Sequence, residues 1–507
     1  MKGFIEAVGY LCSWQQAGPL VLPVPLLWMM LGTVLGIMVG AVPGLSGAML
    51  IALTLPLTFA MTTPDALILL VSMYVGSVSG GLITATLLKM PGTPASIMTT
   101  LDGYPLAQSG RPGRALGLGI TASFVGGMIS WVFLVGLSAP MAAVSTKLGP
   151  FDFFSLVLMA LALIAVVSGK SLAKGVFSGA LGMLVAMPGT SPATGELRWT
   201  WGFGEMNDGF KLLPVLMGLF AVGQLLDDVV RIDQRADAVR MSREGLWLRW
   251  TDWKQQAVNL VRSSVIGTWV GILPGIGANI GSVMAYTAAK SFSKTPEKFG
   301  QGAEEGIVAS EAANNATVGG ALIPLVAMGI PGSVIDAILM GALVIHGLQP
   351  GPLLFEQNPD VVYTIMASML FSNVFMFLFM LAAAGWLSRL MVVPKWLLTP
   401  VIMVFCVVGA YALSNRMFDV WVMLSFGLVG FGLERSGVPL APFVIGFVLA
   451  RTAEEHLGEG LMTSGGSYAP LISSPVSLFF LLISALLLLW PCWQTYSAWK
   501  SPQKTSG

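Results

Sequence analysis

Long apolar runs separated by short polar stretches make up most of the chain. A helix needs about 20 residues to cross a hydrocarbon core of ~30 Å, and stretches 115–140, 361–390 and 471–490 reach that length. The pattern predicts an all-α polytopic membrane protein with about 11 transmembrane helices. The segment 25–60 carries an interruption, and the further apolar runs are 66–89, 115–140, 151–169, 175–189, 212–226, 361–388, 397–412, 417–433, 437–450 and 471–492. The number of spans rises to about 12–13 if an interrupted element is a broken helix that crosses the membrane.

Pro-Gly pairs interrupt the apolar pattern, and the interruptions occur twice. Val-Gly-Ala-Val-Pro-Gly-Leu-Ser-Gly at 39–47 returns as Val-Gly-Ile-Leu-Pro-Gly-Ile-Gly-Ala at 270–278. A second pair follows, with Pro-Gly-Thr-Pro-Ala-Ser at 91–96 and Pro-Gly-Ser at 331–333. Gly- and Pro-interrupted apolar segments at corresponding places in two halves are typical of secondary transporters, which bind substrate there. We refer below to the first and the second interruption of each half.

Basic residues flank the apolar segment 263–289 on both sides. Arginines and lysines are frequent in 227–262, and three lysines follow within 290–298. Because cytoplasmic loops carry the excess of basic residues, both ends are expected on the cytoplasmic side. The segment is then a re-entrant hairpin that folds at Pro274, with limbs of roughly 16–20 Å at 1.5 Å per residue. The alternative is a kinked helix that spans the membrane.

The charge bias also orders the chain into two repeats. Basic residues follow the second interruption in the first half but the first interruption in the second half. This favours two inverted-topology repeats over parallel ones, with two re-entrant or broken-helix Pro-Gly elements. The cluster at 451–459 is expected to be an exposed loop or a surface that docks a partner. The predicted divisions are an interfacial N-terminal segment, a first repeat, a cytoplasmic basic linker, a second repeat, and an extra-membrane loop with the final transmembrane helix and cytoplasmic tail: 1–24, 25–226, 227–262, 263–451 and 452–507.

Helix N-termini at the interruptions are candidate anion sites, because they present unpaired N–H groups and the positive end of the helix dipole. Thr93 is placed to N-cap a helix that starts at Pro94, and Ser333 can cap similarly. Ser, Thr and Asn oxygens near unwound carbonyls also suit a sodium ion. The substrate site is predicted in segments 43–47, 92–96, 274–279 and 331–336, at Gly44, Ser46, Gly47, Gly92, Thr93, Ser96, Gly275, Gly277, Asn279, Gly332 and Ser333.

Asp336 is the acidic residue that stands out in the apolar pattern. It lies five residues after Pro331 in an apolar helix, where a lone carboxylate is costly. It either binds the coupling ion, Na⁺ or H⁺, or pairs structurally with a backbone or hydroxyl group. Asn314, Asn315 and Thr317 are expected where a helix starts on its way to the second interruption. They are the remaining predicted coupling-ion residues, and the alternative is that they form hydrogen bonds between helices.

Two other carboxylates are interpreted as structural. Glu311 is expected to cap the start of the Asn-rich helix, and Asp102 is expected in a solvated turn. Neither is included in the predicted site.

The composition argues against several other classes of function. A net charge of +1 predicts no nucleic-acid partner, and three scattered cysteines and two histidines predict no disulfide framework, metal centre beyond a sodium ion, or cofactor. No paired acid and base or Ser-His set is expected at membrane depth, so an enzyme is not predicted. A channel or exporter for another small solute is the alternative to an importer, since repeated hairpins also line pores.

Five short sequence motifs resemble those of the large membrane subunit of tripartite tricarboxylate transporters. They are Val-Gly-Ala-Val-Pro-Gly-Leu-Ser-Gly at 39–47, Pro-Gly-Thr-Pro-Ala-Ser at 91–96, Asp-Gly-Tyr-Pro-Leu at 102–106, Leu-Pro-Gly-Ile-Gly-Ala at 273–278 and Gly-Ile-Pro-Gly-Ser at 329–333. The similarity extends over about residues 20–490. It implies a multi-pass permease of the bacterial inner membrane that works with a small membrane subunit and a periplasmic solute-binding protein.

The resemblance also implies a substrate class and an energy source. Family substrates are carboxylates, with citrate as the type case, and uptake is driven by an ion gradient rather than by ATP. The absence of a Walker-type phosphate loop from the sequence agrees with this. We therefore expect symport by alternating access, in which a bundle that holds the hairpins moves against a scaffold.

Overall fold

The computed structural model describes residues 2–17, 20–42, 44–167, 171–230, 239–275, 277–390, 395–412 and 414–500. The α-helices in this part of the chain are α1 (Lys2–Leu11), α2 (Val24–Gly40), α3 (Gly47–Thr54), α4 (Thr63–Leu87), α5 (Ile97–Gln108), α6 (Pro112–Ser145), α7 (Pro150–Val167), α8 (Leu172–Ala186), α9 (Leu212–Leu216), α10 (Gly223–Val230), α11 (Trp250–Ile272), α12 (Gly277–Phe292), α13 (Glu304–Met328), α14 (Val334–Ile345), α15 (Pro352–Gln357), α16 (Pro359–Leu390), α17 (Lys395–Ala412), α18 (Met417–Arg435), α19 (Leu440–Thr463), α20 (Pro470–Ser473) and α21 (Pro475–Lys500).

Other regular structure in the described residues is short. Two antiparallel strand pairs are β1 (Gln15–Ala17) with β2 (Leu20–Leu22), and β3 (Gly189–Thr190) with β4 (Leu197–Arg198). A π-helical segment joins α9 to α10, so that Leu212–Val230 is continuous. The 3₁₀ turns are Leu55–Ala60, Pro94–Ser96, Gly204–Asp208 and Pro296–Lys298.

Six helices of the described chain are long and apolar enough to cross a membrane. They are Thr63–Leu87, Pro112–Ser145, Pro150–Val167, Leu212–Val230, Pro359–Arg389 and Met417–Arg435. Several shorter apolar helices accompany them, among them Val24–Gly40 and Val334–Ile345. The predicted class, an all-α polytopic membrane protein, is confirmed. The count of about 11 spans and the inverted orientation of the repeats stay predictions.

Packing divides the chain into two compact units. Unit 1 contains Met1–Thr146 and Leu212–Phe431, and unit 2 contains Lys147–Lys211 and Gly432–Gly507. All four Pro-Gly interruptions lie in unit 1. The predicted repeat boundaries describe sequence duplication rather than packing, and they stay a prediction.

Unit 2 is held by small residues and by paired hydroxyl groups. A Cβ on Gly182 of α8 would lie 2.0 Å from the carbonyl oxygen of Phe443 in α19, so the two helices touch backbone to backbone. Ser155 of α7 and Ser477 of α21 join their hydroxyls at 2.5 Å. Small residues and buried hydroxyls of this kind are the usual contacts between helices in membranes.

Helix α4 is buried along its whole length in unit 1, and it packs on α2 through glycines. A Cβ on Gly36 would lie 2.4 Å from the carbonyl oxygen of Met73. A Cβ on Gly80 would lie 2.4 Å from the oxygen of Ile37 and 3.0 Å from Cα of Gly40. The two backbones therefore approach more closely than any side chain at these positions would permit.

The second half repeats this contact between α11 and α13. A Cβ on Gly320 would lie 2.3 Å from the carbonyl oxygen of Thr268 and 3.0 Å from Cα of Gly271. Gly320 thus has the same surroundings as Gly80 of the first half. The sequence repetition is therefore also a repetition of helix packing.

The N-terminal ends of α6, α11 and α13 meet in an ionic cluster. Arg114 of α6 donates to both carboxylate oxygens of Asp252, at 2.7 and 2.9 Å, and to Glu304 at 2.7 Å. Arg111 also donates to Glu304. The side chains of Arg114 and Asp252 are only 19% and 13% exposed, so solvent screens this bidentate pair less than an ordinary surface pair.

One helix begins earlier than the charge pattern suggested. Helix α11 starts at Trp250, inside the stretch 227–262 that we assigned to a linker. Asp252 Oδ2 accepts the N–H of Arg249 at 2.8 Å, which satisfies a backbone donor that a helix start leaves unpaired. Helix capping therefore extends α11 into a polar sequence.

The expected loop at 451–459 is wrong, because α19 continues through it to Thr463. Its charged residues are spaced for a helix: Arg451 donates to Glu455 four residues on, and His456 contacts Glu459 three residues on. Such pairs stabilise a helix surface. Polarity alone gave the wrong secondary structure here.

Candidate functional site

The first interruption of the first half ends α2 and starts α3 after a tight turn. Gly44 has φ +91°, a conformation that favours glycine. Ser46 then caps α3, accepting the N–H of Met49 at 3.1 Å. A Cβ on Gly47 would lie 2.2 Å from the Ser77 hydroxyl, so the start of α3 lies directly against α4.

The first interruption of the second half lies between α11 and α12, which pack together as a helical hairpin. Gly275 and Gly277 have φ of +71° and +68°, which allows the chain to reverse. The Gly275 N–H donates to the carbonyl oxygen of Gly332 at 2.8 Å, which joins the two interruptions of this half. Asn279 is exposed in the first turn of α12. A hairpin is therefore present, and its re-entrant course in a membrane stays a prediction.

The second interruptions are also duplicated in space. A Cβ on Gly92 would lie 2.2 Å from the carbonyl oxygen of Gly40, at the end of α2. A Cβ on Gly332 would lie 2.9 Å from the oxygen of Gly271, near the end of α11. Each second interruption therefore lies on the helix that leads into the first interruption of its own half.

The two second interruptions differ in how the next helix starts. The Thr93 and Ser96 hydroxyls lie 2.9 Å apart, and the turn Pro94–Ser96 precedes α5. The expected α-helix start at Pro94 is therefore a 3₁₀ turn. In the second half, Ser333 caps α14 as predicted and accepts the N–H of Asp336 at 3.3 Å.

The halves are interleaved around these helix starts. A Cβ on Gly47 would lie 3.4 Å from Cδ1 of Ile335, which brings the start of α3 beside the start of α14. In the same manner α12 packs against Pro94–Ser96. The helix after each first interruption therefore meets the second interruption of the other half. All four interruptions lie against α4 or α13.

Asp336 is fully buried at the first turn of α14. The Tyr74 hydroxyl of α4 is 3.1 Å from the Ser333 hydroxyl and donates to Asp336 Oδ2 at 3.5 Å. Asp336 Oδ1 is buried without a hydrogen-bond partner among the described residues. The structure thus places a carboxylate, a phenol and a hydroxyl beside α3, and one carboxylate oxygen accepts no hydrogen bond from the described residues.

The Asn pair occupies a different position from the one expected. Asn314, Asn315 and Thr317 lie in the middle of α13, which starts at Glu304, so they do not open the helix. Asn315 Oδ1 accepts from the Ser79 hydroxyl at 2.6 Å. The Thr317 hydroxyl donates to the backbone carbonyl oxygen of Asn314. The two asparagines contact α4, whereas a Cβ on Gly281 of α12 would lie 2.8 Å from the Thr317 methyl, so the predicted coupling residues do not form one cluster with Asp336.

Two buried carboxylates were missed by the sequence interpretation. Glu311 does not cap a helix but lies fully buried in α13, one turn before Asn314. Asp102 is not in a solvated turn, because it is fully buried in α5 and accepts the N–H groups of Gly300, Gly302 and Ala303. The signal for Glu311 was its i, i+3 spacing from Asn314, which places both on one helix face.

No group of three or more His, Cys, Asp or Glu side chains within the described ranges could hold a metal ion. The chemistry available around the interruptions is therefore that of N–H donors, hydroxyls, amides and single carboxylates. Helix starts can bind anions, and oxygen clusters can bind hard monovalent cations.

Comparisons with known proteins found similarity over most of the chain. Residues 26–445 match the sequence model described as "Tripartite tricarboxylate transporter TctA family". A protein of Agrobacterium vitis, described as an uncharacterized 52.8 kDa protein in the TAR-I ttuC′ 3′ region, is 32% identical over 461 residues, which is 91% of this chain and 92% of the relative. A second A. vitis protein, from the TAR-II ttuC′ 3′ region, is 34% identical over 228 residues, which is 44% of this chain and 94% of that relative. No solved structure matches the chain.

Proposed function

The chain belongs to the tripartite tricarboxylate transporter TctA family, and on this premise we propose that it is the permease of an ion-driven carboxylate importer. The family is named for a tripartite system, which implies that its membrane transporter subunit works with two other proteins. We propose that these are a small membrane subunit and a periplasmic solute-binding protein that delivers the anion. The proposed location is the bacterial inner membrane, and the proposed substrates are citrate or related di- and tricarboxylates.

The interleaved helix starts carry this proposal. Helices α3, α12 and α14 and the turn before α5 each begin at a Pro-Gly interruption. They meet in two pairs, α3 beside the start of α14 and α12 beside the turn before α5. Their free N–H groups and positive dipole ends favour a carboxylate without a buried lysine. The proposed substrate contacts are the eleven residues predicted at these starts, among them Ser46, Thr93, Asn279 and Ser333.

The proposed coupling ion binds beside this anion site. Asp336 supplies a buried carboxylate with one free oxygen, and it lies next to the start of α3. The oxygens of Asn314, Asn315 and Thr317 complete the proposed coupling residues on α13. A cation close to the carboxylate substrate would stabilise both charges in a medium of low dielectric constant. Binding of either one would then favour binding of the other, which is the basis of symport.

Transport is proposed to follow alternating access. The helix hairpin of α11 and α12 and its first-half counterpart would open the site to one side of the membrane at a time. The inverted repeats would give two equivalent gates. Two gates with one shared site prevent a continuous pathway, which separates this mechanism from a channel.

The test is uptake of radiolabelled acids into vesicles that contain the chain with its small subunit and binding protein. The panel is citrate, other di- and tricarboxylates and an aromatic acid, each with a sodium or a proton gradient. We expect gradient-dependent accumulation of at least one acid, and we expect Asp336→Asn to abolish it. Passive equilibration without accumulation would instead favour a channel.

Asp65→Asn is the matched control. Asp65 is buried in the first turn of α4, it follows a capping Thr62, and it accepts from the Tyr10 hydroxyl at 3.1 Å. Its other oxygen accepts from Thr62 at 2.8 Å, so both oxygens are partnered, unlike those of Asp336. We expect accumulation to persist in this variant per molecule inserted. Equal accumulation in Asp336→Asn and wild type would contradict the role of Asp336.

A further inference from the structure

Glu311 is a second buried carboxylate, separate from Asp336, and its surroundings come from three helices. Its Oε1 accepts from the Thr99 hydroxyl of α5 at 2.5 Å, and its Oε2 accepts from the Ser123 hydroxyl of α6 at 3.2 Å. All three side chains are fully buried. Hydrogen bonds from two hydroxyls satisfy only part of the capacity of a carboxylate, which has about four acceptor positions.

The charge of Glu311 has no counter-ion among the residues that the structure describes. None of the ion pairs in the described part of the chain includes it. Burial of an ionised carboxylate without a positive partner costs several kcal/mol or more, so such groups are paired, protonated or bound to a cation. The neighbours of Glu311 are neutral oxygen groups, which would ligate a cation.

Two further oxygen groups complete the cluster. The Ser310 hydroxyl lies 3.0 Å from the Thr99 hydroxyl. The Asn314 side chain also hydrogen-bonds to the carboxylate, with its amide N–H as the donor, and its Oδ1 is fully buried without a hydrogen-bond partner among the described residues. An unpaired buried amide oxygen is uncommon in folded proteins, and a cation is one ligand that satisfies it. Carboxylate, hydroxyl and amide oxygens are the ligands that hard cations prefer.

We propose that Glu311, Thr99, Ser123, Ser310 and Asn314 form a sodium-ion site that is distinct from the coupling site at Asp336. The duplicated packing supports this arrangement. Asp336 lies on α14, the helix that follows the second interruption of one half, and Thr99 lies on α5, the corresponding helix of the other half. Helix α14 therefore contains a buried carboxylate, and α5 contacts one through Thr99 and contains another, Asp102.

A second sodium site changes the number of ions that accompany one anion. This consequence rests on the proposed function. Each sodium ion would neutralise the carboxylate that binds it, and two sodium ions would then cross the membrane with each substrate anion. Asn314 would then serve the Glu311 site rather than the Asp336 site, in agreement with its position on α13.

The test is binding of ²²Na⁺ to the purified chain in nanodiscs, with choline replacing sodium at constant ionic strength. We expect Glu311→Gln to bind one sodium ion fewer than wild type. We also expect Ser123→Ala to weaken sodium affinity by roughly tenfold, as loss of a group that orients or completes an ion site does. The matched control is Ser138→Ala, since Ser138 is an equally buried serine of α6 that donates within its own helix, to Leu134.

The result that overturns the proposal is unchanged sodium stoichiometry in Glu311→Gln together with unchanged affinity in Ser123→Ala. The assay needs no transported substrate, so it is separate from the proposed function. If sodium binds at Glu311 but no acid accumulates in vesicles, the import proposal fails while this site remains.

Discussion

Gly80 illustrates how a single hydrogen atom in place of a side chain allows two helices to meet. We expect Gly80→Ala to destabilise unit 1 by about 1–3 kcal/mol, because its methyl group would overlap the carbonyl oxygen of Ile37 and Cα of Gly40. The measurement is the thermal unfolding midpoint of the purified protein in detergent. Gly320→Ala is expected to behave alike, since its surroundings are the same.

Gly136→Ala is the control for this substitution. Gly136 lies within α6, and a Cβ there would meet no atom within 4 Å. Alanine has the higher helix propensity, so stability should be unchanged or slightly raised. Equal destabilisation of the Gly80 and Gly136 variants would show that close packing is not the cause.

At the residue scale, the sequence predicted turn and cap chemistry better than side-chain environment. Ser333 caps its helix as expected, because a serine after Pro-Gly is read from local sequence. Asp65 and Asp336 have the same local sequence context, a capping hydroxyl three residues earlier, yet only Asp336 keeps an unpartnered oxygen. Glu311 was missed for the same reason, since its partners Thr99 and Ser123 are distant in sequence.

At the scale of helices, the ionic cluster around Arg114 joins three N-terminal ends that are far apart in sequence. We expect Arg114→Lys to lower stability by about 1 kcal/mol or more at pH 7, because lysine does not reproduce the bidentate contact with Asp252. Arg111→Lys should have a smaller effect, since the Arg111 side chain is 54% exposed.

The pH dependence of this effect has a defined sign. Hydrogen bonds from Arg114 hold the pKa of Asp252 below its ordinary value. A carboxylate with a lowered folded-state pKa contributes its stability above the unfolded-state value of about 4, and this contribution is lost as pH falls through the folded-state pKa. Unfolding midpoints of wild type and Arg114→Lys should therefore converge in acid. A difference that is constant between pH 7 and pH 3 would contradict this assignment.

Helix positions could be predicted from apolar length, but helix ends could not be predicted from polarity. Helices α6, α7 and α16 lie where the apolar runs are, because burial in lipid or protein requires apolar side chains. Helices α11 and α19 extend into charged sequence through a cap and through i, i+4 pairs. Local hydrogen bonds and ion pairs decided these ends, and average hydropathy does not register them.

At the scale of the whole molecule, inverted repeats make a prediction about sidedness. Ala60 and Lys294 are both exposed and both lie just beyond the helices that follow the first interruptions. In a chain with its cysteines replaced by serine, we expect Ala60→Cys to react with an impermeant maleimide from the periplasmic side and Lys294→Cys from the cytoplasmic side. Labelling of both from one side would indicate parallel repeats instead.

The hydrogen bond from the Gly275 N–H to the Gly332 oxygen joins two stretches of chain that are distant in sequence. If the two stretches moved separately, each turnover would expose a backbone donor and acceptor where water is scarce, which costs several kcal/mol. In the ion-driven carrier that we propose, keeping this bond would disfavour partly open intermediates. Slippage, in which the ion crosses without the anion, would then be rare in that carrier.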